Sequence, residues 1–140
     1  MFADALPVLA KLGVYAFGLW LIAVAALMAF GPARALQVLA AMGSTPLIHF
    51  GEHALRSLAG LALIGASETA RFPTVFYVSG LFLVLSSALI VIAPRRWHHG
   101  YARFWAQRLP VWSIRWLSSL SAAAGLALIW AAGTTWLVPW

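Results

Sequence analysis

Residues 73–92 read "PTVFYVSGLFLVLSSALIVI", twenty positions without one charged side chain. A bilayer core about 30 Å thick is crossed by about 20 helical residues. In hydrocarbon, every backbone N–H and C=O must find its partner within the protein, and a helix satisfies its own. The run does not alternate polar and apolar residues as a barrel strand would. It therefore predicts a membrane-spanning helix.

The same argument extends outward to residues 12–30, 46–66 and 118–137. Together the four runs predict an all-α integral membrane protein with four transmembrane helices. Whole-chain composition agrees: 64% of residues are hydrophobic and 9% charged, against about 25% charged in soluble domains. So few charges cannot cover a water-facing surface. The first run reads as a retained anchor rather than a signal peptide. Asp4 precedes Lys11, and the apolar stretch continues for a full span. Cysteine is absent, which excludes disulfides, thiolate metal sites and a cysteine nucleophile.

The chain repeats itself. "GLWLIAVAALMAFGPAR" at 18–34 aligns with "GLFLVLSSALIVIAPRR" at 80–96, matching Gly18 with Gly80, Pro32 with Pro94 and Arg34 with Arg96. "LAGLALIGA" at 58–66 then aligns with "AAGLALIWA" at 123–131. The spans are thus expected as two tandem hairpins. The connection within each is a short interfacial helix, at about 32–43 and 95–109. In the second, Trp97, Tyr101, Trp105 and Arg108 recur at helical spacing, so aromatics can enter the interface while Arg96 and Arg103 face water.

Charge orients the hairpins. Arg95, Arg96, Arg103, Arg108 and Arg115 cluster in or after the third connection, and Arg34 begins the first. The turn holding Glu68 and Arg71 is neutral. The positive-inside tendency puts both long connections in the cytoplasm and both termini outside, as in a bacterial inner membrane. The net charge of +6 flanks apolar spans, so anionic phospholipid is expected as its partner rather than nucleic acid.

Reactive side chains are few. "HFGEHALRSLAG" at 49–60 places His49, Glu52 and His53 on one helical face with H-x-x-E-H spacing, which resembles the ligand spacing of one class of zinc peptidase over five residues. A catalytic zinc needs a third protein ligand. The only later carboxylate, Glu68, lies about 24 Å further along the helix. No catalytic or metal ligand set is therefore assigned. Haem or bacteriochlorophyll suits histidine in an apolar bundle better, with His49, His53, His98 and His99 as candidate ligands on one membrane side. Glu52 and Arg56, four residues apart with the acid first, are expected to pair and anchor the helix at the headgroups. Glu52, Arg56, Arg95, Arg96, Trp97, Tyr101, Arg103, Trp105 and Arg108 are the expected interface or lipid contacts.

No phosphate-binding loop, dinucleotide glycine pattern or serine elbow is present. The expected role is therefore non-catalytic: a small accessory or structural subunit of a larger membrane complex. Two alternatives remain open, a small oligomeric transporter or channel and a haem- or pigment-binding subunit. Absorption spectroscopy and identification of co-purifying chains separate them.

Overall fold

Proline punctuates the chain. The computed structural model describes residues 2–133, with side chains from residue 5. Within them run α1 (Phe2–Phe30), α2 (Pro32–Ala41), α3 (Pro46–Ala66), a 3₁₀ turn (Ser67–Thr69), α4 (Pro73–Ile92), α5 (Arg95–Arg108) and α6 (Val111–Ala132). Pro32, Pro46 and Pro73 each open a helix, where a missing N–H costs nothing. Ala93, before Pro94, and Leu109, before Pro110, are extended because a following proline disfavours the helical region. The result is long–short–long, twice.

The boundaries refine the expected spans. α3 and α4 match residues 46–66 and 73–92. α1 begins well before residue 12. α6 begins at Val111, because nothing after Pro110 delays the helix until Ser118. The end of the expected 118–137 span, residues 134–137, falls outside the described residues. Ala5–Phe30, Pro73–Ile92 and Val111–Ala132 are long and apolar enough to cross a membrane. α3 is as long, but Glu52, Arg56 and two histidines make its first half polar. The described residues form an all-α bundle with several long apolar helices, consistent with a multi-span membrane protein. Much of its outward surface is Leu, Phe, Val and Trp.

The repeat reappears as symmetric packing. α1 packs on α6, α3 on α4, and α2 on α5. Gly18 meets Gly125 so closely that a Cβ on Gly18 would lie 2.9 Å from the Gly125 carbonyl oxygen and 2.8 Å from Ile129 Cγ1. At the equivalent crossing, a Cβ on Gly80 would lie 2.5 Å from the Gly60 carbonyl oxygen and 2.8 Å from Ile64 Cγ1. These residues are the aligned ones: Gly18 with Gly80, Gly125 with Gly60, Ile129 with Ile64. Small residues let helix backbones touch, which substitutes for the hydrophobic drive that lipid removes.

The symmetry fails at one seam. α1 also packs closely on α3, where a Cβ on Gly13 would lie 2.7 Å from Ala62 Cβ and one on Gly65 would lie 2.9 Å from Ala10 Cβ. The equivalent helices, α4 and α6, barely touch. The repeat supplies Phe72 for Ala10, Val75 for Gly13 and Trp130 for Gly65. The Phe72 and Trp130 rings meet at 6.1 Å between centroids. The residues at this seam are thus bulkier, and Arg71 stacks 4.2 Å over Trp130 while its backbone N–H donates to the Ala131 carbonyl.

Candidate metal centre

α3 turns one stripe inward: His49, His53, Gly60 and Leu63 are all buried and recur at helical spacing. The two histidines thus occupy core positions. Their repeat equivalents in α6, Ile114 and Ser118, are buried too. Thr45 caps the helix, its Oγ1 accepting from the Ile48 N–H at 3.2 Å.

α5 brings the third ring. Gly43, in the turn after α2, adopts φ +66, which a residue with a Cβ resists, and such a Cβ would lie 2.8 Å from the His98 ring. His99 Nδ1 bonds the Met42 carbonyl oxygen at 2.8 Å, so its N–H there is the donor. Arg95 donates to the carbonyls of Gly43 and Ser44. Gripped this way, α5 directs His98 over α3. Ring centroids lie 4.9 Å apart for His49–His53, 5.0 Å for His53–His98 and 5.5 Å for His49–His98. One nitrogen from each ring lies within 4.8 Å of the others, a group capable of holding a metal ion.

His49 is 2% exposed and His53 4%. His49 Nδ1 and both ring nitrogens of His53 are buried without a hydrogen-bond partner. Leaving such groups unpaired costs roughly 1–3 kcal/mol each, so unpartnered buried nitrogens of this kind call for an explanation. Glu52 sits at the edge, its Oε2 3.3 Å from His98 Nε2. An ionised Glu52 makes Nε2 the donor and leaves Nδ1 of His98 as the lone-pair nitrogen. Carboxylates commonly orient metal-binding imidazoles in this way.

The structure distributes the sequence candidates differently from expectation. His49, His53 and His98 converge, whereas His99 turns to Met42. The expected Glu52–Arg56 pair is not formed among the described residues. Glu52 goes to His98, and Arg56 donates to Ser86 Oγ on α4 at 2.9 Å. Tertiary partners on α5 and α4 outcompete the neighbour on the same helix. Glu68, in the 3₁₀ turn beyond Ala66, lies at the opposite end of α3. Arg96, Trp97, Tyr101, Arg103, Trp105 and Arg108 are exposed on α5, with Arg108 stacked 3.7 Å over Phe104. Ser86 and the Met42 carbonyl were not legible as partners, because nothing in an apolar helix or a turn marks them. A signal for His98 over His99 did exist: His98 lies four residues before the buried Ala102.

Comparison of the chain with protein-family models, curated proteins and solved structures gives no match.

Proposed function

We propose that this protein is a small non-catalytic membrane component that crosses the bilayer four times and holds one divalent transition-metal ion at its cytoplasmic end. His49, His53 and His98 are the ligands. The carrying observation is their convergence, with nitrogens within 4.8 Å of one another and the two α3 rings buried and unpartnered. Zinc–imidazole bonds of about 2.0–2.1 Å in a tetrahedron put ligand nitrogens roughly 3.3 Å apart. Small ring rotations of about 1.5 Å close that gap. Three imidazoles without thiolate suit zinc or its first-row neighbours.

A bare ion fits better than a haem held by two histidines. A bis-imidazole haem would need its two axial imidazoles on opposite sides of a flat macrocycle, and here one nitrogen from each of three rings lies within 4.8 Å of the others. A holding role fits better than hydrolysis, because Glu52, the carboxylate beside the cluster, is engaged with His98. The ion would staple the first hairpin to the second through α3 and α5.

The test is elemental analysis of protein purified without added chelator, beside His49→Ala, His53→Ala and His98→Ala. The expected result is about one ion per chain, lost in each variant. Equal metal content in wild type and all three variants would sink the assignment. An accessory role in a larger membrane complex is checked in the same preparation by identifying chains that co-purify in fixed ratio.

A further inference from the structure

Arg56 is a charged side chain on α3, half-buried and, among the described residues, without a carboxylate partner. Among the described residues Glu52 pairs with His98 and Glu68 lies at the far end of α3, so neither serves it. One guanidinium N–H₂ is held by Ser86 Oγ, whose own hydroxyl donates to the Phe82 carbonyl at 2.6 Å. The Nε atom is buried without a partner. A guanidinium offers five N–H donors in a fixed fork. An unpaired arginine within a membrane span is costly, and such residues usually find an anion or reach toward the headgroups.

The space beside it suits such an anion. Arg56, Ile90, Ala93, His98 and Tyr101 line a cavity of about 310 Å³. Ile90 and Ala93 lie at the end of α4, and Tyr101 lies on α5, so the cavity sits where a long apolar helix meets the basic amphipathic one. Its wall is apolar, its charge positive, and no carboxylate lines it. A ligand with a compact oxyanion and an apolar continuation matches both halves.

We infer that this cavity binds the phosphate of an anionic phospholipid, with Arg56 as its charged donor and Ile90 and Ala93 against the adjoining carbons. A planar guanidinium matches phosphate geometry, and such charge-assisted pairs are about twice as strong as neutral hydrogen bonds. Tyr101 adds a hydroxyl at the rim. The site does not depend on the metal proposed above, although a cation on His98 strengthens its positive field.

Native mass spectrometry of the full chain tests this, with phosphatidylglycerol, phosphatidylcholine or inorganic phosphate supplied separately. The expected result is one tightly retained phosphatidylglycerol. Retention should fall roughly tenfold in Arg56→Gln, as expected for one charged hydrogen-bonding group worth about 1.4 kcal/mol, and stay unchanged in Arg34→Gln on α2. Ala93→Leu fills the cavity without touching the guanidinium and should also displace the lipid. Three outcomes overturn the site: equal retention of the two lipids, capture of inorganic phosphate in place of lipid, or unaltered phosphatidylglycerol binding in both Arg56→Gln and Ala93→Leu. Metal content measured on the same samples should not change in Arg56→Gln, so the lipid and metal assignments fail separately.

Discussion

At His98, the bond made by one ring nitrogen decides what the other can do. An ionised Glu52 takes the Nε2 hydrogen and would leave Nδ1 with the free lone pair. Glu52→Gln keeps an acceptor but removes the charge, so metal affinity should fall by roughly 10–100-fold while the site still fills at saturation. Competition with a chromophoric chelator measures this, and unchanged affinity would show that the contact does not support the ligand. His99 makes the contrasting case. Its ring bonds the Met42 carbonyl, so His99→Ala should leave metal content intact and lower stability by about 1 kcal/mol, read from thermal unfolding in detergent.

At the scale of elements, the two glycine crossings carry the bundle. Gly18 and Gly80 occupy equivalent positions, each with a backbone carbonyl and an isoleucine where a side chain would go. Gly18→Leu and Gly80→Leu should each destabilise by roughly 1–3 kcal/mol or more, because a packed helix pair must separate. Similar losses are expected, since the two contacts are near copies. A Cβ on Gly100, mid-α5, would meet nothing within 4 Å. Gly100→Ala should therefore stabilise by about 0.5–1 kcal/mol through helix propensity. Melting temperatures of the three variants check both signs.

At the scale of the molecule, a duplicated unit is closed at one seam and open at the other. Phe72, Val75 and Trp130 stand where the closed seam has Ala10, Gly13 and Gly65. Replacing all three by alanine should let α4 and α6 approach toward the roughly 8 Å spacing of small-residue helix pairs. Spin labels on the two helices would report the shortened distance, and an unchanged distance would mean that something else holds the seam. The proposed four crossings also make a topological prediction. The chain has no cysteine, so Thr69→Cys and Arg103→Cys each give a unique label. An impermeant reagent should reach them from opposite membrane faces.

Sequence alone determined the apolar helices, their proline boundaries and the duplication, because these depend on local composition and spacing. A charge-free run such as 73–92 needs no partner to be recognised, and Gly18 aligns with Gly80 whatever either touches. It also marked His49 and His53 as sharing a helix face. Tertiary structure alone decided which histidine completes the cluster, where Glu52 and Arg56 turn, and which seam stays open. Each of those depends on contacts between residues distant in sequence. Glu52 and His98 are separated by 46 positions, and only the packing of α5 on the turn after α2 makes them neighbours. Helical spacing correctly allowed Glu52 to face Arg56, but pairing follows the best partner in space, and for each residue that partner came from another helix.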